Sequence, residues 1–147
     1  MIIAFASDHG GFELKNFIIN SIKHEYEILD LGTDSSESVD YPDFAEKAVT
    51  ALREKKADQA IIFCGTGIGI SIAANKFKGI RAALCHDQFT ARMSKMHNNS
   101  NILVIGGRVT GPEVALDMVK TWLNTEFEGN RHQKRLNKIM EIEKREA

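Results

Sequence analysis

Residues 61–74 read Ile61-Ile62-Phe63-Cys64-Gly65-Thr66-Gly67-Ile68-Gly69-Ile70-Ser71-Ile72-Ala73-Ala74. An apolar run of strand length ends on a thiol, a turn with alternating glycines follows, and a small-residue helix begins. Strand, tight turn and helix in that order form the unit from which parallel α/β sheets are built. The same unit sets a sulfur beside the free N–H groups of a helix N-terminus, where anions bind and developing negative charge is stabilised. A base next to an oxyanion site is the minimum equipment for moving a proton beside a carbonyl.

Working outward, four more short apolar runs occur: Ile2 to Ala6, Tyr26 to Leu31, Ile80 to Cys85 and Ile102 to Ile105, with Ala60 to Cys64 as the third of five. Most are apolar on both faces, which predicts strands covered by helices on each side. Helical spacing joins Leu14, Phe17, Ile18 and Ile22. It also joins Tyr41, Phe44, Ala45, Ala48, Val49 and Leu52, with Asp40 as N-cap and Pro42 in the first turn. Asp87 is placed to cap a helix through Met96. Thr110-Gly111-Pro112-Glu113 reads as a capping box before Leu116, Val119, Trp122 and Leu123. A last helix starts near Arg131 and carries Leu136, Ile139 and Met140. The pattern predicts one domain over residues 1–147, a Rossmann-like three-layer α/β/α sandwich around a five-stranded parallel sheet.

Bulk composition excludes several classes. Net charge is −1, with 43% hydrophobic and 27% charged residues, so neither nucleic acid nor a membrane surface is an expected partner. No apolar stretch approaches the ~20 residues of a membrane helix, and Met1-Ile2-Ile3-Ala4-Phe5 reads as a first strand, not a leader. Cys64 and Cys85 are the two cysteines, without metal-like spacing, which fits a reducing compartment and predicts a cytoplasmic protein.

Ligands of open α/β sheets bind at the carboxyl ends of the strands. Residues following the runs are Ser7-Asp8-His9-Gly10-Gly11, Gly32-Thr33-Asp34, Cys64 to Gly69, His86-Asp87 and Gly106-Gly107-Arg108. Polar chemistry therefore gathers on one edge. Taken singly these residues stay ambiguous: Asp8-His9 fits a helix cap as well as a site, His97 a surface or core histidine, and Asn98-Asn99 a helix end. Arg131 and Arg135 share one face of the last helix near its start, where the dipole disfavours cations; an anionic ligand or a solvated basic face explains them. The glycine loop departs from the dinucleotide fingerprint, because Ile70 occupies the third glycine position, and no Gly-Lys-Ser/Thr element follows. Neither a metal nor an organic cofactor is expected.

Several segments together carry a resemblance: Ser7-Asp8-His9-Gly10-Gly11, Asp40-Tyr41-Pro42, Cys64 through Lys76, Gly79-Ile80-Arg81-Ala82, His97-Asn98, Gly106-Gly107-Arg108 and Gly129-Asn130-Arg131-His132. Along essentially its whole length the chain resembles the type B ribose-5-phosphate isomerases and their relatives acting on allose 6-phosphate and galactose 6-phosphate. Asn130 departs from the pattern, standing where a second glycine is expected, and Asn tolerates turn conformations. The resemblance implies an aldose–ketose isomerase of the pentose phosphate pathway, with Cys64 as the base and an enediolate held by the amides of Gly65, Thr66, Gly67, Ile68 and Gly69. It further implies Thr66 as a positioning or relay group, His97 and Asp8 in ring opening, and Asn98 and Tyr41 against the sugar. Arg108, Arg131 and Arg135 would hold the phosphate, with His9 nearby. It implies a homodimer, or a dimer of such dimers, whose C-terminal helix crosses to the neighbouring subunit and serves the partner's site. A six-carbon substrate, a subunit of a heteromeric isomerase and a non-catalytic sugar-phosphate or nucleotide-binding module are the competing readings.

Overall fold

A computed structural model describes residues 1–147. Five strands form one sheet: β1 (Ile2–Ser7), β2 (Glu27–Asp30), β3 (Gln59–Cys64), β4 (Ala82–Leu84) and β5 (Ile102–Gly106). All pairings are parallel and the order is β2-β1-β3-β5-β4. The helices are α1 (Phe12–Ile22), α2 (Tyr41–Arg53), α3 (Ile68–Ala74), α4 (Gln88–Asn98), α5 (Pro112–Leu123) and α6 (Arg131–Arg145).

The two-residue period of a strand sends alternate side chains to opposite faces. Along β3, Ile61 and Phe63 join Leu14, Ile18 and Ile22 of α1 and Met118, Val119 and Trp122 of α5 in one core layer. Ala60, Ile62 and Cys64 join Phe44, Ala45, Ala48 and Val49 of α2 and Ile70 and Ala74 of α3 in the other. Strands β1, β3 and β5 are covered on both faces, as their continuous apolar runs require; each fully buried Ile, Leu or Phe contributes roughly 1.5–3 kcal/mol. Cys85 is buried beside α4, and burial pushes its thiol pKa up. No helix is long and apolar enough to cross a membrane.

Several local details differ from expectation. Strand β4 covers only Ala82–Leu84, at the edge of the sheet, and on its open side Asn75 takes a neighbour's place. Its amide donates to Ala82 O and accepts from Ala82 N, both at 2.9 Å. The capping box at Thr110 does not form: the N-cap is Gly111, while Thr110 is buried and donates its own N–H to Gly106 O at 3.0 Å. Asp40 occupies the N-cap of α2 without a side-chain cap bond. Asp87 does cap α4, accepting from Thr90 N at 2.7 Å. That helix runs on to Asn98 and closes on Asn99 in the left-handed region.

Helix α6 is the outlier. Of its fifteen residues only His132 and Leu136 are buried, and Ile139, Met140 and Ile142 lie about half exposed. Its start meets α4, and Glu143 near its end accepts from Gly79 N at 2.9 Å, so it lies along the β4 edge of the molecule.

Candidate active site

Strand order reverses between β1 and β3, which makes their carboxyl ends the expected binding crevice. Three loops meet there backbone to backbone, and glycine permits the approach. A Cβ on Gly10 would sit 2.8 Å from Gly65 N, and one on Gly107 would sit 2.5 Å from Gly10 O. The β5 loop is laced to the β3 loop by Gly107 N to Cys64 O at 2.8 Å and Arg108 N to Gly65 O at 2.9 Å.

Asp8 is buried, and its Oδ1 accepts from Gly10 N and Gly11 N at 2.9 and 3.2 Å. His9 Nδ1 accepts from Val39 N at 3.2 Å, which leaves Nε2 as its outward group. His9 and Arg108 line one cavity of about 310 Å³ with Gly10, Glu13, Ser36 and Gly107. The Arg108 guanidinium lies along Gly65, where a Cβ would be 3.1 Å from Nη1. Tyr41 covers Gly69 in the same way, 2.6 Å from ring carbon Cζ to the missing Cβ. A larger groove of about 610 Å³ beside α2 contains none of these groups.

Cys64 ends β3 on the α2/α3 side and is only 4% exposed. Its Sγ accepts from Gly67 N at 3.1 Å, and Gly67 holds φ +80° to aim that amide back at the sulfur. Thr66 Oγ1 accepts from Ile68 N at 3.2 Å. Two loop amides are thus engaged by Cys64 and Thr66. The first-turn N–H groups of Gly69 and Ile70 have no acceptor in the chain, as at any uncapped helix start. A sulfur and unpaired amides converge at one place, and the thiol sits deeper than an open crevice would put it.

The remaining candidates lie elsewhere. Helix α4 starts at the carboxyl edge after β4 and delivers the chain to the amino end of β5, roughly 16 Å away for eleven helical residues. His97 and Asn98, in its last turn, therefore sit at the opposite edge of the sheet from Cys64. Arg81, just before β4, pins that turn: its Nε donates to Asn98 O at 3.2 Å and Asn99 O at 2.9 Å. The start of α6 joins them, with Glu128 N donating to Met96 O at 3.0 Å. The His132 ring stacks on His97 with centroids 4.2 Å apart and planes 13° apart. Arg131 Nη1 meets Glu128 Oε1 at 3.2 Å, and Arg135 is exposed one turn further on. One chain thus carries two clusters: Asp8, His9, Tyr41, Cys64 to Gly69 and Arg108 at the carboxyl edge; His97, Asn98, Arg131 and Arg135 at the amino edge.

His97, Glu128 and His132 offer donor atoms within 4.8 Å of one another. Imidazole lone pairs lie in the ring plane, so two rings stacked face to face do not converge on one ion. His132 and Arg81 stand in the segments that carry the resemblance but received no role there; their contacts with the His97–Asn98 turn are what draw attention to them.

The sequence model of the ribose/galactose isomerase family matches residues 3–139. The chain belongs to that family. It is 46% identical to ribose-5-phosphate isomerase B of Escherichia coli over 144 residues, 97% of each chain. It is 48% identical to a putative sugar phosphate isomerase of Bacillus subtilis over 149 residues, 99% of each. Among solved structures, ribose-5-phosphate isomerase B of Clostridium thermocellum superposes with a TM-score of 0.98 at 53% identity, covering 100% of both chains. The Mycoplasma genitalium enzyme with bound ribulose 5-phosphate gives 0.92 at 38% identity, over 97% and 96%. Family members share the parallel five-stranded sheet, and membership makes this chain an aldose–ketose isomerase.

Proposed function

We propose that this protein interconverts ribose 5-phosphate and ribulose 5-phosphate through an enediolate, with Cys64 as the base and two subunits contributing to each site. The observation that carries the reading is the Cys64 Sγ–Gly67 N contact at 3.1 Å, at the mouth of the glycine loop, in a chain of this family. His97 opens the furanose together with Asp8. Cys64, as thiolate, takes the proton from C2 and returns it at C1, and Thr66 relays the hydroxyl proton between the two oxygens. Since Gly67 N and Ile68 N are engaged by Cys64 and Thr66, the enediolate oxygen falls to the remaining loop amides, that of Gly69 among them; Asn98 binds the sugar oxygens and Tyr41 lines the pocket. A positioned base contributes about 100- to 10,000-fold, and an oxyanion donor about 100- to 1,000-fold. His9, Arg108, Arg131 and Arg135 grip the phosphate, far enough from the reacting carbons to orient them.

Because His97, Asn98, Arg131 and Arg135 lie at the opposite edge from Cys64, the complete site requires a partner subunit. A two-fold homodimer supplies two equal sites. Support comes from the half-exposed Ile139, Met140 and Ile142 of α6 and Ile68 and Ile72 of α3, apolar groups without cover in one chain. Free Cys64 and Cys85 are in keeping with a cytoplasmic setting. The test is a coupled assay with ribose 5-phosphate and allose 6-phosphate. The expected result is the larger kcat/KM for the five-carbon sugar, and turnover abolished by Cys64→Ala with phosphate-ligand binding kept. A preference for allose 6-phosphate would reassign the substrate, and an active Cys64→Ala would remove the base.

A further inference from the structure

His132 has no part in the chemistry above, yet its surroundings are unusual. It is 5% exposed, and its Nε2 has no hydrogen-bond partner, the carboxylate of Glu128 lying 4.0 Å away. A buried polar atom left unpaired is costly, so a ring held this way calls for a reason. Chelation does not supply one, because the stacked rings do not aim at a common point. The stack itself does. His97 is half-buried in the last turn of α4, and the flat face of His132, 4.2 Å away, removes the freedom of its ring to tip.

Charge matters too. Two stacked imidazolium rings repel. His132 faces His97 from α4, Arg131 and Arg135 on its own helix, and Glu128 from the preceding loop; burial, His97 and the two arginines lower its pKa against the opposing pull of Glu128. We propose that His132 is a positioning residue for His97: a neutral, flat platform that fixes the plane of the His97 ring and so the direction of its nitrogens. The inference rests on the reading of His97 as the group that opens the furanose.

Two variants separate plane from chemistry. His132→Phe keeps a flat face, and kcat on ribose 5-phosphate is expected within about threefold of wild type. His132→Leu frees the His97 ring, and kcat is expected to fall roughly 10- to 100-fold with KM little changed, since the phosphate grip is untouched. Equal loss in both variants, or full activity in His132→Leu, would overturn the proposal. A measurement that leaves position 132 intact guards against misfolding. NMR titration of the His132 ring in substrate-free enzyme should show its midpoint rising in His97→Asn, because the facing charge is gone. An unmoved midpoint would refute the pairing. Full kcat in His97→Asn would sink the ring-opening assignment instead, a result independent of the NMR coupling.

Discussion

Replacing Gly67 with alanine tests how the glycine loop holds the thiol. Gly67 sits at φ +80°, and a left-handed conformation costs an L-residue about 1–2 kcal/mol. Its Cβ would also lie 2.5 Å from Leu84 Cδ1 and 3.2 Å from Gly106 N. The leucine can yield; the β5 backbone cannot. Overpacking of this kind costs about 1–3 kcal/mol. The total is about 2–5 kcal/mol, less about 0.4–1 kcal/mol regained because alanine stiffens the unfolded chain. Gly79 is the internal control: φ is +83°, but a Cβ there meets nothing within 4 Å. Gly79→Ala should lose only the strain. Urea unfolding of both variants, with the isomerase assay alongside, reads the difference. Gly67→Ala should be the less stable by roughly 1–3 kcal/mol and lose turnover, because the amide that bonds Cys64 Sγ moves. Equal stability in the two variants, with Gly67→Ala fully active, would refute the packing account of the loop.

Two further predictions concern charge. Lys95 is buried with Nζ 3.8 Å from the Trp122 ring centroid and 3.3 Å from Ser100 O, and burial together with Arg81 lowers its pKa to about 8. The unfolded chain holds that proton up to its ordinary pKa of 10.5, so below pH 8 the folded state carries the full penalty, at most about 3 kcal/mol, and is relieved of it as pH rises from 8 to 10.5. Urea midpoints should therefore show wild type gaining on Lys95→Met across that window; parallel pH profiles would contradict the burial argument. Arg131→Ala should raise KM for the sugar phosphate about 10- to 100-fold, the worth of one charged hydrogen bond, with a smaller change in kcat. A pure kcat effect would take Arg131 off the phosphate.

The fold was legible because β1, β3 and β5 are apolar on both faces, which only a doubly covered parallel sheet explains. Edge elements were less so: β4 is cut short where the Asn75 side chain takes over its outer pairing, and Thr110 gives its capping position to Gly111. The carboxyl-edge residues followed from strand ends alone, since whatever follows a parallel strand lands on one side. His97 and Asn98 could not be placed that way. A residue in the last turn of a connecting helix lands on the far edge, and neither spacing nor composition says which subunit's site it faces. Nor does the alternation along β3, which turns Cys64 into the α2/α3 layer, announce how deeply the thiol is covered.

Subunit complementation is the most direct measurement. Cys64→Ala damages one edge of the chain and His97→Asn the other. In a mixed dimer with shared sites, one site takes both defects and the other takes neither. Refolding the two inactive proteins together in equal amounts makes half the dimers mixed, and about one quarter of wild-type activity should return. Activity no higher than the sum of the separate variants would show that Cys64 and His97 never meet across two chains, and the shared site would be wrong.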